Sequence, residues 1–353
     1  MAFKDIAILL FFSTILQYQL HKSIALDNQT WIKAGYWQYG ETSNIESINS
    51  TLYTHLIYGY ADMYYNSSTE QVNVTISSDD EPVKNFNSIV KKKNPSIKTL
   101  VSIEMNRTMS NANLITGRKF FIESSIEIAR SYGFDGLDFT WSWPSSSQEM
   151  SNLATLLDDW RVAIDLESKQ AKNPRLLLTM ISKNTPWIED WTYPIESMKE
   201  NLDWLHVFAF DYYEPWSTNN TSPFAALYDP NSDLNTDYGI NAWIKYGFPS
   251  QKIVLGLPFY GCVWTLVSPE NNQIGAAATG AGPAIMCLKM SRSRVILHCW
   301  DNNIKTYMIK YRANNSSYNS TYVMNYVSVG TSWVGFDDVE AVKTKVSYAK
   351  EGI

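Results

Sequence analysis

Acidic and hydroxyl side chains alternate along one short segment, and they are the first candidates for chemistry in this chain. Asp135, Asp138, Thr140 and Ser142 follow one another on a run that is otherwise rich in apolar and aromatic residues and ends in a proline. This pattern predicts a buried strand that leads into a loop. A carboxylic acid at such a strand end can serve as a general acid, whereas a serine hydroxyl is far too weak an acid near neutral pH.

Two other interpretations of this segment stay open. It can be a buried strand of an unrelated α/β protein, or Ser142 can be a nucleophile. Against the nucleophile, no G-x-S-x-G elbow surrounds Ser142 and no histidine is obviously placed to serve it. His55 and His206 lie in apolar, strand-like runs, and no cysteine and histidine spacing indicates a metal site. The sequence therefore predicts no metal and no cofactor.

Short apolar runs alternate with helical patterns, which is typical of βα units around a parallel sheet. Apolar residues at helical spacing over Arg118–Tyr132 and Glu149–Lys169 predict two helices of an outer layer. The motif segment then forms the fourth strand of a sheet whose functional residues lie at the carboxyl ends of the strands. The seven predicted strands are Trp31–Tyr36, His55–Tyr60, Lys98–Ile103, Gly136–Thr140, Leu176–Met180, Leu205–Phe210 and Ile253–Leu257.

Length, charge and composition limit the fold and the partners of this chain. The chain of 353 residues is long enough for one barrel domain with an insertion, and a net charge of -6 argues against a nucleic-acid partner. Its 13 Trp and 22 Tyr suit a protein that stacks on sugar rings, although filling a large barrel explains part of them. Three cysteines form no disulfide framework, and a single bridge between Cys287 and Cys299 would leave Cys262 as a thiol.

The first 25 residues predict a secretory signal peptide. Lys4 supplies the charged start, an apolar run follows, and small residues lead to a cleavage site after Ala25. The run is too short for a transmembrane helix, and no other stretch reaches the ~20 apolar residues that a span requires. We expect an extracellular protein of the apoplast or cell wall, with the vacuole as the alternative. Ten N-glycosylation sequons agree with secretion: Asn28, Asn49, Asn66, Asn73, Asn106, Asn219, Asn220, Asn314, Asn315 and Asn319.

The segment from Asp135 to Ser142 resembles the DGxDxDxE signature of family 18 glycoside hydrolases, the chitinase family. The chain is most similar to the plant class V chitinases, from about Trp31 to Tyr348. This resemblance implies a (β/α)8 TIM barrel of the family 18 type with a small α+β insertion at about 260–333. Further stretches that match in the family's order include 98–103, 201–204, 209–213, 225–230, 237–243, 255–261 and 335–338.

Two stretches depart from the family pattern. The stretch from Met286 to about Thr306 has no clear counterpart, and the sequence stops at Ile353, where the family continues into its eighth strand and last helix. We therefore expect the eighth strand to be missing, which would expose unpaired backbone on the first and seventh strands. An imperfect gene model and another segment that covers this edge are both open explanations.

The resemblance also implies that the family's chemistry has been removed. In the family a glutamate protonates the glycosidic oxygen, the substrate's own N-acetyl carbonyl attacks the anomeric carbon, and a neighbouring aspartate orients that acetamide. Ser142 stands at the position of the glutamate and Thr140 at that of the aspartate. Asp135 and Asp138 remain, in supporting roles. Glu104 stands where the family has glycine, so a replacement acid is a further alternative.

Sugar-binding residues are expected at the strand ends. By resemblance, Asp211 and Tyr213 line the subsite that holds the N-acetyl group, and Phe210 replaces a tyrosine, so that one hydroxyl is lost. Capping of a strand end is the alternative for Asp211. Indole faces are platforms for pyranose rings, and core packing is the alternative for each tryptophan. The predicted substrate-binding set is Trp37, Trp141, Phe210, Asp211, Tyr213 and Trp264, with Trp143 and Trp216 as further stacking candidates.

Three functions follow. The first is a secreted, catalytically silent chitinase-like protein that binds chitin or N-acetylglucosamine oligosaccharides, as a monomer without a membrane span. The second is an active chitinase that hydrolyses β-1,4-linked N-acetylglucosamine polymers by the substrate-assisted retaining mechanism. The third is a structural or receptor-type ectodomain whose glycan groove is vestigial. The missing acid at Ser142 separates the first two, and the convergence of strand-end aromatic residues on an open groove separates the first and third.

Overall fold

The computed structural model describes residues 31–38, 44–76, 81–105, 111–141, 146–282, 289–291, 294–296, 298–300 and 316–353. The predicted signal peptide, Ser142, Trp143 and Cys287 lie outside these residues, as does most of the stretch 286–306. What the sequence predicts for them therefore stays a prediction. In the described part of the chain, no helix is long and apolar enough to cross a membrane.

A parallel sheet of seven strands forms the centre of the fold, and hydrogen bonds join the strands in chain order. All seven predicted strands are present with shifted bounds; the first, for example, begins at Ala34 rather than Trp31. An antiparallel strand, Gln71–Thr75, extends the sheet beside the second parallel strand. The parallel strands are β1 (Ala34–Gln38), β2 (His55–Asn66), β3 (Lys98–Met105), β4 (Gly136–Trp141), β5 (Leu177–Ser182), β6 (Trp204–Val207) and β7 (Ile253–Leu255).

Helices follow the strands and form an outer layer, which confirms the predicted barrel architecture. They are α1 (Glu81–Lys93), α2 (Asn111–Ser131), α3 (Ser147–Ala171), α4 (Ile195–Asn201), α5 (Thr236–Lys245) and α6 (Val339–Gly352). Short 3-10 helices cover Ile45–Ser47, Ser50–Leu52 and Ser250–Lys252, and a two-stranded hairpin covers Trp187–Ile188 and Trp191–Thr192.

Helix α3 shows how the outer layer is held on the sheet. Ser146 caps it, because the Ser146 hydroxyl oxygen accepts a hydrogen bond from the Glu149 backbone N–H at 3.2 Å. The helix buries Leu153, Leu157 and Trp160, and the Trp160 ring packs edge-on against aromatic rings of α2 and β4. The apolar face that the sequence predicts for this helix is therefore confirmed.

A second, antiparallel sheet follows β7. Its strands are β8 (Tyr260–Leu266), β9 (Ala278–Ala281), β12 (His298–Trp300), β13 (Ser317–Asn319), β14 (Met324–Val329) and β15 (Ser332–Phe336), while β10 (Lys289–Ser291) and β11 (Arg294–Ile296) form a separate pair. The core of this sheet contains Trp264, Trp333 and Met324 together with Phe224. Phe224 belongs to the long segment after β6, so the second sheet packs on the carboxyl end of the parallel sheet, where Phe210, Asp211 and Tyr213 lie.

Candidate functional site

Asp138 lies on β4 inside the parallel sheet, with its side chain fully buried. Its carboxylate accepts hydrogen bonds from the hydroxyls of Tyr36 on β1 (3.1 Å), Ser102 on β3 (2.8 Å) and Thr179 on β5 (2.6 Å). Burial raises the pKa of Asp138 to about 6, even though these three hydrogen bonds lower it. One carboxylate therefore links four strands, and both of its oxygens accept hydrogen bonds.

His206 on β6 completes this buried network. Its Nε2 accepts a hydrogen bond from the Trp204 indole N–H at 2.9 Å and lies 3.9 Å from an oxygen of Asp138. Burial lowers the pKa of His206 to about 3, so the imidazole is neutral at pH 7 and forms no ion pair with Asp138. The Tyr36 ring packs edge-on against the imidazole at a centroid distance of 5.5 Å.

Asp135 lies before the start of β4, at the opposite end of the strand from Thr140. Its carboxylate contacts Lys91 at 2.8 Å and Lys98 at 3.1 Å, and it accepts a hydrogen bond from the Thr99 backbone N–H. Burial raises the pKa of Asp135, but these partners outweigh burial and hold it below its usual value. Asp135 therefore joins β4 to α1 and β3.

Thr140 and Glu104 lie side by side at the carboxyl end of the sheet. They are partners in the parallel register between β3 and β4, two residues beyond the partners Ser102 and Asp138. Side chains two residues apart on a strand share a face, so Thr140 and Glu104 point to the same interior as Asp138. The Glu104 side chain is exposed, whereas the Thr140 hydroxyl oxygen is buried and has no hydrogen-bond partner among the described residues.

Asp211 lies in the segment after β6, with a left-handed backbone conformation (φ 55°). The Tyr260 hydroxyl donates a hydrogen bond of 2.7 Å to its carboxylate, and burial followed by the nearby Asp211 charge raises the pKa of Tyr260 well above its usual value. Tyr260 is the first residue of β8. Phe210 and Tyr213 are partly buried against the core of the second sheet. The structure therefore brings Phe210, Asp211 and Tyr213 together where the two sheets meet.

Three predicted stacking tryptophans are buried instead. Trp37 packs against the ring of Phe86 under α1, Trp141 lies with Phe139 in the core between sheet and helices, and Trp264 is fully buried in the second sheet. This burial argues against the stacking role predicted for them, because an indole face already covered by protein cannot carry a sugar ring. Trp216 differs, since 49% of its surface is exposed.

Tyr36 and Tyr260 bind predicted site residues, Asp138 and Asp211, but the sequence analysis did not single them out. Tyr36 precedes Trp37 on β1, and strand alternation turns one of them to the interior and the other to the helices. The sequence predicts a sugar-binding role for Trp37, whereas in the structure Tyr36 reaches Asp138 and keeps 41% of its surface exposed. Tyr260 carried no signal of its own, because its partner Asp211 lies 49 residues earlier in the chain.

The chain is similar in sequence and structure to known proteins. The family model of glycosyl hydrolases family 18 matches residues 32–352. A class V chitinase of Arabidopsis thaliana is 39% identical over 330 residues, covering 92% of this chain and 83% of the relative. A class V chitinase mutant from Nicotiana tobaccum, solved in complex with NAG4, superposes with a TM-score of 0.83 at 37% identity and 91% coverage of both chains. The chitinase-like agglutinin of Robinia pseudoacacia has a TM-score of 0.78 at 34% identity, covering 91% of this chain and 92% of the agglutinin.

Proposed function

Because the chain belongs to glycosyl hydrolase family 18, we propose that it is a secreted chitinase-like protein that binds N-acetylglucosamine oligosaccharides without hydrolysing them. One observation carries this proposal. At the carboxyl end of the parallel sheet, which we call its mouth, the structure has the hydrogen-bonded pair Asp211 and Tyr260. The strand β4 carries Thr140 at this end, and in the sequence Ser142 follows, so neither position supplies a carboxylic acid.

The missing acids account for the absence of hydrolysis. A positioned general acid contributes roughly 10²- to 10⁴-fold to the rate, and a serine hydroxyl cannot donate a proton at neutral pH as a carboxylic acid does. Thr140 carries no charge to steady a cationic intermediate. Asp138 is no replacement, because it is fully buried and its carboxylate is held by three hydroxyl groups.

The remaining groups suit binding. The Asp211 carboxylate and the hydroxyls of Tyr213 and Tyr260 can exchange hydrogen bonds with an acetamide group, and the exposed Trp216 offers an aromatic surface. Two similar structures support oligosaccharide binding. One is a chitinase mutant in complex with NAG4, and the other is described as a chitinase-like agglutinin. The agglutinin is a precedent for a protein of this fold named for binding.

Binding and turnover are tested on the same purified protein. We expect no release of fluorophore from a fluorogenic chitooligosaccharide above a buffer blank. Chitotetraose should give saturable quenching of tryptophan fluorescence, and cellotetraose, which lacks the acetamide, should bind at least ~10-fold more weakly. If the protein binds both sugars equally well, or if folded protein binds neither sugar, this function is rejected and the vestigial ectodomain is favoured.

Secretion has its own test. The charged and apolar start of the chain supports it, with cleavage after Ala25. The full-length chain, expressed in plant cells with a carboxyl-terminal tag, should be recovered from the extracellular fluid with Leu26 as its first residue. Retention of an uncleaved chain inside the cells would contradict secretion without affecting the binding result.

An active chitinase is the second candidate, and Glu104 is the observation in its favour. Its carboxylate is exposed beside Thr140 at the mouth of the sheet. Turnover by the wild type that disappears in Glu104→Gln would establish this candidate. Turnover that persists in Glu104→Gln would also refute the proposed lack of hydrolysis, and it would show that the acid is a residue other than Glu104.

A further inference from the structure

On the interior face of β3 and β4, solvent exposure increases toward the carboxyl ends of the strands. Ser102 and Asp138 are buried, whereas Glu104 is exposed. Ser102 and Asp138 are partners in the strand register and share a hydrogen bond, which fixes the face on which both side chains lie. Glu104 and Thr140 are the next pair on this face toward the carboxyl ends of the strands. The outermost pair therefore belongs to the surface that a glycan in the groove would contact.

Glu104 supplies a carboxylate very near the place where position 140 lacks one. Neighbouring strands lie about 4.8 Å apart, and a glutamate side chain is one methylene longer than an aspartate side chain. A carboxylate on Glu104 can therefore approach the space that an aspartate at position 140 would occupy. The buried Thr140 hydroxyl next to it lacks a partner among the described residues, and a bound polar group would supply one.

The carboxylates of the site differ in depth and in solvent exposure. Asp138 lies deeper and accepts hydrogen bonds from three hydroxyl groups, and Asp211 accepts one from Tyr260. Glu104 differs in its solvent exposure, so its carboxylate is accessible to a ligand that enters the mouth. An amide N–H is a good donor for such a group, because hydrogen bonds to a charged acceptor are stronger than those to a neutral one.

We propose that Glu104 is a glycan-binding residue whose carboxylate accepts a hydrogen bond from the amide N–H of a bound N-acetylglucosamine unit, with the Thr140 hydroxyl as a second contact. This inference rests on the proposed oligosaccharide binding and adds to it a residue that selects for the acetamide. Glu104 thus takes over, from the neighbouring strand, a charge that the threonine cannot provide.

Titration of chitotetraose into five proteins tests the proposal: the wild type, Glu104→Gln, Thr140→Asp, the double variant with both changes, and Glu127→Gln. Glu127 is exposed on the outer helix α2 and serves as the matched control. Glu104→Gln should weaken chitotetraose binding about 10-fold and cellotetraose binding less than 2-fold. Thr140→Asp alone should also weaken binding, because two like charges then lie side by side. The double variant should recover most of the affinity, since it returns one carboxylate to the same place.

The outcomes separate this inference from the function on which it rests. If the wild type binds neither sugar, the oligosaccharide-binding function fails and Glu104 with it. If the wild type prefers chitotetraose and Glu104→Gln binds it equally well, only the role of Glu104 is refuted. A double variant as weak as Glu104→Gln would also refute the exchange of charge between the two strands, provided that circular dichroism shows a folded protein. Loss of turnover in Glu104→Gln would replace the binding role with that of an acid.

Discussion

The buried network around Asp138 predicts opposite pH responses for two single variants. Asp138 has a pKa of about 6 in the folded protein against an ordinary value of 3.8, and His206 has a pKa of about 3 against 6.5. As the pH falls from 6 to 4, the folded protein takes up a proton at Asp138 that the unfolded chain does not bind, so this group stabilises the fold. Over the same range the unfolded chain binds a proton at His206 and the folded protein does not, so the contribution of this group lowers the stability of the fold as the pH falls.

The magnitude follows from the same shifts. Each group contributes up to about 1.4 kcal/mol per pH unit, or about 2 kcal/mol between pH 6 and pH 4 when partial titration at the ends is included. His55, whose pKa is lowered to about 4 by burial, acts in the same direction as His206. The free energy of unfolding of the wild type therefore decreases somewhat between pH 6 and pH 4. The gain from protonation of Asp138 offsets the loss from about one of the two histidines.

The test measures the free energy of unfolding in urea at pH 6, 5 and 4. Relative to the wild type, Asp138→Asn should lose about 2 kcal/mol more between pH 6 and pH 4, and His206→Asn should lose about 2 kcal/mol less. Differences in slope, rather than absolute stabilities, carry the test, because each substitution also perturbs packing. If all three proteins lose stability in parallel, neither group titrates as its burial requires and the argument fails.

Three further predictions concern single contacts. Lys345→Met removes the partner of the buried Asp337 and should cost about 3–5 kcal/mol in urea unfolding, whereas the same change at an exposed lysine of α6 should cost less than about 0.5 kcal/mol. Gly136→Ala should cost at least about 1–3 kcal/mol, because a Cβ there would lie 2.6 Å from a side-chain carbon and 2.9 Å from a carbonyl oxygen of β5; an unchanged melting temperature would contradict this close approach. Tyr260→Phe removes the hydroxyl that holds Asp211 and should weaken chitotetraose binding roughly 5-fold in a fluorescence titration, and unchanged affinity would show that this contact does not shape the site.

The sequence was sufficient for the order of the strands but not for the faces of their side chains. A parallel strand covered on both sides is apolar throughout, so alternation does not reveal which set faces the interior. For this reason the sequence favours Trp37 and Trp141 as sugar platforms, although both pack under the helices, and does not single out Tyr36. The sequence places Asp211 and Tyr213 near the carboxyl end of a strand, and the structure has them in the segment after β6, whereas Tyr260 joins them only through tertiary contacts.

The position of each residue along β4 explains why this barrel needs a carboxylate at position 138 and not at position 140. Asp138 is part of the fold, since its carboxylate ties β1, β3 and β5 to β4, and its removal would leave buried hydroxyl groups of three strands without their acceptor. Thr140 lies one step nearer the mouth, where its hydroxyl bonds to no described residue, so the barrel does not depend on a carboxylate there. Loss of charge at position 140 therefore affects the ligand and not the core. A neighbouring strand can then restore that charge with a single exposed side chain, as Glu104 is placed to do.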